Sequence, residues 1–354
     1  RQANLAMGQA LSLAGDATRA EPLLRQAWEK DRSDFPAALA LLQHFVRHKQ
    51  LEAATTMFRQ LDEKQGLRQR PHELAQCHVA LGQDEPAIGV YRRVLEAQPN
   101  DSAALRALAE LHLRRQQLDV AAPLLSRLLD AQATLPPSEV RWARRQLAVV
   151  WAGRGQRHQA LALLDRNQQD GSAIVDDQRA RAFVLATSAR RVDQQAAAQL
   201  LGDLGDQNQL LSKDRWLLGR LLESQGQAHE ADAHFRVVLA EVPDHREYRA
   251  EYIGRLIRHG QLEEATQRLD ELRRQQPSGF ATLSLELRLQ AAHGEAASVL
   301  KRLDSEAASV GNDAVRLCGR RVSGAPVGGR GRVRRSEGPP LCVSASSCRS
   351  CDTS

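Results

Sequence analysis

Two histidines one helical turn apart, His44 and His48, are the best-placed candidates for metal ligands in this sequence. Glu52 follows one turn later, so the three side chains would lie on one face of a helix. Zinc binds imidazole and carboxylate groups, but it takes four ligands in all. Because no thiol or other histidine lies close by in the sequence, we interpret the pair as ordinary surface or inter-helix histidines and predict no metal site.

Four of the five cysteines are found near the C-terminal end of the sequence. Cys348 and Cys351 form one Cys-x-x-Cys pair, whereas Cys342 and Cys318 stand apart. Structural zinc sites commonly combine two such close pairs, so this spacing argues against zinc. Cys77 is alone in the preceding part of the chain, which excludes a disulfide framework there.

The sequence contains none of the short motifs that accompany common catalytic chemistry. There is no glycine-rich phosphate loop ending in Lys-Ser/Thr, no His-Glu-x-x-His and no Gly-x-Ser-x-Gly. The eleven histidines are spread along the chain instead of being grouped. We therefore predict that the chain is not an enzyme and that it uses no cofactor.

The net charge of +6 belongs to the end of the chain. Residues 316–354 contain eight arginines and two acids, and the other 315 residues contain 41 basic and 41 acidic side chains. The arginine run at 328–335 could bind phosphates, but it lacks interleaved aromatic residues. Since an RNA-binding array needs a continuous basic face, a nucleic acid is not the expected partner.

A recurring alanine indicates the elements that would position these side chains. Its intervals are 34, 33, 34, 39, 37, 34 and 34 residues. A period in this range is typical of a solenoid built from repeated helical hairpins. The alanines are Ala20, Ala54, Ala87, Ala121, Ala160, Ala197, Ala231 and Ala265.

Three further columns of residues share this period. A small or aliphatic residue lies twelve positions before each alanine, and a bulky apolar residue lies four positions after it. Small residues let two helices approach closely, and the bulky residue fills the space beside them. Five positions before the alanine, five of the eight units have a glycine, which favours a helix end with a positive φ. Each unit is therefore predicted to form helix, short turn, helix.

These columns resemble the tetratricopeptide repeat. The clearest unit, 212–245, has Leu218, Gly219, Gly226, Ala231, Phe235 and Pro243 at the preferred positions of that family, and a second unit has Leu74, Ala75, Gly82, Ala87, Tyr91 and Pro99. The resemblance covers roughly residues 1–277 and implies an all-α, right-handed superhelical solenoid of antiparallel helix-turn-helix repeats. The early tryptophan of the family is absent from its usual place in every unit.

In proteins of this family, the first helix of each unit lines a concave groove, with its second, fifth and ninth residues pointing inward. The resemblance therefore implies a basic, aromatic groove across units four to seven. Arginine pairs with carboxylates and tryptophan is a common interface anchor, so the expected occupant is an acidic or C-terminal peptide. Alternatively, these are solvated faces with local partners such as Glu110 and Glu223. The implied lining residues are Arg106, Trp142, Arg145, Val149, Arg179, Lys213, Trp216 and Arg220.

The family's carboxylate clamp requires lysine and asparagine at set positions of adjacent units. This sequence has Leu5 and Gln9 at those positions of the first unit. Recognition of chaperone-type tails is therefore not expected.

We predict two parts in the chain. Residues 1–308 form an array of about eight tetratricopeptide-like repeats plus a degenerate ninth, and residues 309–354 form a basic tail rich in Cys, Gly, Arg and Ser. The tail composition favours disorder. It also fits a GC-rich segment translated out of frame, because the chain uses 44 arginines and five lysines.

The prediction for function is a non-catalytic protein–protein interaction scaffold that binds a partner segment in the groove. The alternatives are the non-catalytic arm of a larger enzyme or complex and an RNA-binding helical repeat. No uncharged stretch approaches the length of ~20 residues that spans a bilayer. The chain begins at Arg1 without a Met, so we expect a fragment; its localisation stays open, with the cytoplasm as the default expectation.

Overall fold

The computed structural model describes residues 2–171, 174–275, 280–295 and 297–300. Throughout these ranges the regular secondary structure is helical, without a β-strand. None of the described helices combines the length and the apolar character needed to cross a membrane. The predicted tail at 309–354, with four of the cysteines, lies outside the described residues.

Internal contacts divide the chain into two segments, residues 1–242 and 243–354. The first segment contains α1 (Gln2–Leu13), α2 (Ala17–Glu29), α3 (Phe35–Arg47), α4 (Leu51–Gln65), α5 (Pro71–Ala80), α6 (Asp84–Ala97), α7 (Ser102–Arg114), α8 (Leu118–Asp130), α9 (Pro137–Gly153), α10 (Arg157–Gln169), α11 (Val175–Ala186), α12 (Arg191–Asp206), α13 (Ser212–Ser224) and α14 (Ala228–Glu241). The second segment contains α15 (Arg246–Arg258), α16 (Leu262–Gln275) and α17 (Phe280–Ala292). Short 3-10 helices at Leu67–Gln69 and Gln132–Thr134 precede α5 and α9.

In the first segment, each odd-numbered helix packs against the following even-numbered helix, and each pair packs against the next pair. We number the pairs as repeats, so that α1 and α2 form repeat 1 and α13 and α14 form repeat 7. In the second segment, α15 packs against α16, and α17 packs against both. The prediction of an all-α solenoid of helical hairpins is confirmed.

The alanine column forms the close contact within each repeat. All eight alanines are fully buried. Seven of them are the fourth residue of an even-numbered helix, whereas Ala197 is the seventh residue of α12. The turn before α12 differs from the others because the hydroxyl of the buried Ser188 donates a hydrogen bond to Asp193 (2.6 Å) and both groups contact Arg157. A polar cluster therefore shapes this turn, and the alanine shifts by about one helical turn.

The glycine column has the predicted left-handed backbone at the turn inside every hairpin from α1 to α16 except that of α11 and α12. All five predicted glycines have φ between 71° and 88°. In repeats 2 and 4, which lack the glycine, Lys49 and Gln116 occupy the same column with φ of 60° and 59°. The turn geometry is therefore kept even where the residue type is unfavourable for it.

The column of small residues lets the two helices of a repeat touch. A Cβ added at Gly219 would lie 2.7 Å from a ring carbon of Phe235, and one added at Gly8 would lie 2.7 Å from Leu24. Real Cβ atoms do not approach other atoms so closely, so a larger residue at either position would force the facing side chain to move.

Candidate functional site

The predicted groove residue Arg106 lies on α7, and its charge is already shared with two carboxylates. Its guanidinium contacts Glu110 on the same helix at 3.1 Å and Glu139 on α9 at 2.9 Å. It also lies over the ring of Trp142, 4.7 Å from the centroid. Burial lowers the pKa of Arg106, but the hydrogen bonds from the two carboxylates outweigh it and raise the pKa.

Arg145 on α9 is paired in a similar way, at a more buried place. Its Nη1 lies 3.0 Å from Oδ1 of Asp177 on α11, and both side chains are largely shielded from water. The same carboxylate oxygen accepts a hydrogen bond from Nδ2 of the fully buried Asn167 (3.0 Å). This pair connects repeat 5 to repeat 6.

Arg179 on α11 makes the next contact of this series. Its Nε lies 2.9 Å from Asp214 on α13, and its Nη1 lies 2.8 Å from Asp176 on its own helix. Asp214 also accepts a hydrogen bond from the backbone N–H of Leu211, which caps the start of α13.

These three contacts form a ladder, in which an arginine on one odd-numbered helix meets an acid on the next odd-numbered helix. The acids are the third residues of α9, α11 and α13: Glu139, Asp177 and Asp214. Carboxylates are favoured in the first turn of a helix, so each acid interacts both with its helix and with the preceding repeat. Three of the predicted groove cations therefore contact carboxylates of the next repeat.

The other predicted groove residues differ in their exposure. Lys213 and Arg220 on α13 are exposed, and Val149 on α9 is half-buried against the core. Trp216 is only 5% exposed, and its ring packs against Phe235 with centroids 4.7 Å apart. Trp216 thus packs in the core of repeat 7 in this structure.

A cleft of about 420 Å³ opens on the first helices of repeats 2, 3 and 4, extending to α9. It includes the fifth and ninth residues of α3 and α7, which are the positions expected to face inward. Of the predicted residues it contains Arg106 alone. The lining residues are Leu39, Gln43, His72, Gln76, Val79, Tyr91, Ala103, Arg106, Ala107, Glu110, Leu111, Arg114 and Glu139.

The cleft combines an apolar floor with polar groups at its edge. Gln43 and Gln76 are exposed. Within the described residues, neither amide has a recorded hydrogen-bond partner. His72 is held in place by Asp101, 3.0 Å from its Nε2, and Asp101 also caps α7 through the N–H of Ala104. The positions of Arg106 and Glu110 in repeat 4 have equivalents in repeats 2 and 3, counted from the alanine of each repeat. These equivalents are Leu39, Gln43, His72 and Gln76, so the sequence pattern could have identified them.

His44 and His48 lie between repeats 1 and 2. Their ring centroids are 4.6 Å apart, and Nδ1 of His44 is 3.0 Å from the Ser12 hydroxyl on α1. Among the described residues, no three His, Cys, Asp or Glu side chains are grouped as a metal would need. Burial, and then the charge of His48, lower the pKa of His44. The observed geometry is that of an inter-helix pair.

Residues 72–111 match the family model of the tetratricopeptide repeat. This stretch covers most of α5, all of α6 and most of α7, and it supplies most of the cleft. The remaining hairpins continue the same columns with the same packing. Residues 72–111 are thus identified as a tetratricopeptide repeat, and the other described hairpins share its helical architecture.

One solved structure shares this helical fold: a chain of the APC/C hetero-tetramer Cut9–Hcn1 is 10% identical over 78% of this chain and 52% of that chain, with a TM-score of 0.55. A tetratricopeptide repeat protein from Parabacteroides merdae is 15% identical over 68% and 92% of the two chains, with a TM-score of 0.47. For a thermophilic protein of this type from Thermus thermophilus, the identity is 23% over 53% and 98%, and the TM-score is 0.42. No curated protein sequence matches the chain.

Proposed function

We propose that this chain is a non-catalytic scaffold that holds an extended segment of a partner protein against the odd-numbered helices. The observation that carries the proposal is the cleft formed by α3, α5 and α7. It spans three consecutive repeats, so a single extended peptide would meet equivalent positions one repeat apart. Tetratricopeptide repeats typically mediate contacts between proteins, which agrees with this reading.

The polar edge of the cleft suits a peptide backbone. Each glutamine amide offers donors and an acceptor, which are the groups that an extended chain presents at regular intervals. Gln43 and Gln76 stand at the ninth positions of adjacent repeats and are free to turn toward a ligand. Leu39, Val79 and Leu111 line the same space with apolar surface for an aliphatic or aromatic side chain.

Binding of an acidic peptide along repeats 4 to 7 has less support than binding of an extended peptide in the cleft. Arg106, Arg145 and Arg179 already contact carboxylates, so an acidic peptide would have to displace those contacts. Lys213 is exposed on α13, and this version of the proposal now rests chiefly on that residue.

A peptide library of random 12-residue sequences displayed on phage tests the proposal, with the full chain as bait. Ala103→Trp would fill the cleft from α7, where Ala103 is exposed. Val120→Trp on α8 is the matched control, because Val120 is exposed on an even-numbered helix. We expect selected peptides to lose at least tenfold in affinity with Ala103→Trp and with the double variant Gln43→Ala/Gln76→Ala, but to bind Val120→Trp normally.

The same peptides distinguish binding in the cleft of repeats 2 to 4 from binding along repeats 4 to 7. Loss of binding in Lys213→Glu/Arg220→Glu, with normal binding in Ala103→Trp, would move the site to repeat 7 and favour an acidic occupant. Peptides that bind all of these variants equally would exclude both versions.

A further inference from the structure

An exposed phenylalanine lies on α11, in the middle of the first segment. Phe183 is 38% exposed, whereas its neighbour Val184 is fully buried and Ala180, one turn earlier, is 7% exposed. The Phe183 side chain therefore points away from the core of the array. Since repeats 5 and 7 lie on either side of it, this exposure does not come from an end of the chain.

In the structure, Phe183 is the ninth residue of the first helix of repeat 6. In repeat 7, α13 begins at Ser212, nineteen residues before the alanine of that repeat. In repeat 6, α11 begins at Val175, which is twenty-two residues before Ala197. Counting back from Ala197 would instead place Ala186 at the ninth position, so the shifted turn before α12 conceals Phe183 in the sequence pattern.

The column of small residues supports the same count. The eighth residue is Ala109 in α7 and Gly219 in α13, and in α11 it is Ala182. Ala182 is fully buried, whereas Leu185, which the alanine spacing places in this column, is half-buried. Phe183, the residue that follows, is therefore equivalent to the ninth residues of the other repeats.

These ninth positions form one row along the odd-numbered helices, and the row leads out of the cleft. After three polar members come two apolar ones, the half-buried Val149 on α9 and Phe183 on α11, which we call the apolar pair. The helices α9 and α11 pack against each other, and α9 also contributes Glu139 to the wall of the cleft. The three polar members, all lining the cleft, are Gln43, Gln76 and Glu110.

The charges beside the apolar pair are already compensated. Arg145 and Arg179 each lie one turn before a member of the pair, and both contact carboxylates of the next repeat. An acidic group arriving here would compete with those carboxylates. An apolar side chain would instead cover the exposed ring of Phe183 and leave both ion pairs intact. The chemistry that fits the apolar pair is therefore an aliphatic or aromatic side chain.

One extended segment is long enough to meet both the cleft and the apolar pair. Packed helices lie about 8–10 Å apart, so the four steps from α3 to α11 cover roughly 30–40 Å. Twelve extended residues reach about 40 Å. We propose that the segment held in the cleft continues across α9 and places an aliphatic or aromatic side chain against Val149 and Phe183. This inference rests on the proposed function and makes Phe183 a residue that determines the specificity of the same site.

The peptides selected with the full chain test the proposal through their affinities for substituted chains. Phe183→Ala is expected to weaken binding about tenfold, because aromatic anchors carry much of the energy of such contacts. Phe183→Leu is expected to keep most of the affinity. The matched control is Val192→Ala, since Val192 is 67% exposed in the same repeat but lies on the even-numbered helix α12.

A double-mutant cycle separates a direct contact from a disturbance of the fold. The large apolar residue of a selected peptide is exchanged for alanine, and this peptide is expected to bind the wild-type chain and Phe183→Ala with the same affinity. Losses that simply add would overturn the proposal, as would selected peptides that all lack a large apolar residue.

Ala103→Trp distinguishes failure of this inference from failure of the proposed function. Loss of binding with Ala103→Trp, but not with Phe183→Ala, would overturn the inference and leave the proposed function intact. Loss with Phe183→Ala alone would overturn both, because the peptide would then bind outside the cleft. Binding that neither substitution weakens would also overturn both.

Discussion

At the scale of single residues, the turns inside repeats 2 and 4 contain side chains in a backbone conformation that suits glycine. Lys49 and Gln116 have φ near +60°. This conformation costs a non-glycine residue roughly 1–2 kcal/mol. A glycine at the same position avoids that cost, but it loses more conformational entropy on folding, which offsets part of the gain. Lys49→Gly and Gln116→Gly are each expected to raise the free energy of unfolding by about 0.5–1 kcal/mol in urea denaturation.

Lys30→Gly is the control for that prediction. Lys30 also ends a helix, but with a right-handed backbone, φ −65° and ψ −29°. It should lose stability on the same substitution, since glycine then brings only its entropic cost. Stabilisation at all three sites would mean that the left-handed geometry is not the cause.

Two glycines in the first segment differ in what a methyl group would meet. Gly219→Ala would place Cβ 2.7 Å from Phe235, whereas a Cβ at Gly202 on α12 would meet nothing within 4 Å. Gly219→Ala is expected to lower the free energy of unfolding by about 1–3 kcal/mol through overpacking. Gly202→Ala should instead raise it by up to about 1 kcal/mol, because alanine favours the helix. Thermal unfolding of both variants provides the comparison.

The buried His44 makes the contact between repeats 1 and 2 sensitive to acid. Its pKa is lowered, by burial first and then by the charge of His48, while Arg47 and Arg25 act in the same direction and Glu21 opposes them. The unfolded chain therefore binds the proton more readily than the folded chain, and stability falls as the pH drops below about 6.5. His44→Gln is expected to reduce this pH dependence in denaturation series between pH 7.5 and 5.5. An unchanged slope would contradict the assignment.

At the scale of helices, the ladder of ion pairs fixes the spacing of repeats 4 to 7. Asp177 is buried and meets both Arg145 and Asn167. Replacing Arg145 with leucine leaves a buried carboxylate without its cation, which typically costs about 3–5 kcal/mol. The control is Arg154→Leu, whose partner Asp119 is almost fully exposed; exposed pairs contribute at most about 1 kcal/mol. Similar losses in urea denaturation for both variants would mean that the ladder has no special role.

The helices themselves could be predicted from the sequence because the same residue pattern recurs in each repeat. The alanine, glycine and small-residue columns each constrain the same turn, so an exception such as Lys49 does not change the geometry. The shifted position of Ala197 could not be predicted, because it depends on the cluster of Arg157, Ser188 and Asp193, which come from two different repeats.

The candidate site depends on contacts between repeats more than the fold does. The positions expected to face inward include Arg106, which lines the cleft. The acids that Arg106, Arg145 and Arg179 meet in the next repeat lie 32 to 35 residues further along the chain, on the next odd-numbered helix. A pattern of residue types within one helix does not show that contact, and the arginines therefore suggested a more basic surface than the structure has.

At the scale of the whole molecule, stability is expected to be the sum of the repeats and their nearest-neighbour contacts. Each substitution above should therefore act mainly on its own repeat and the adjoining ones. Hydrogen exchange can locate those effects along the chain.

Hydrogen exchange is also the measurement that tests the central claim most directly. A peptide selected from the random library is added to the full chain, and the change in amide protection is mapped. Binding in the cleft predicts added protection at α3, α5 and α7, and little change at α4, α8 and α13. Protection confined to the even-numbered helices, or to α13, would contradict the proposed binding surface.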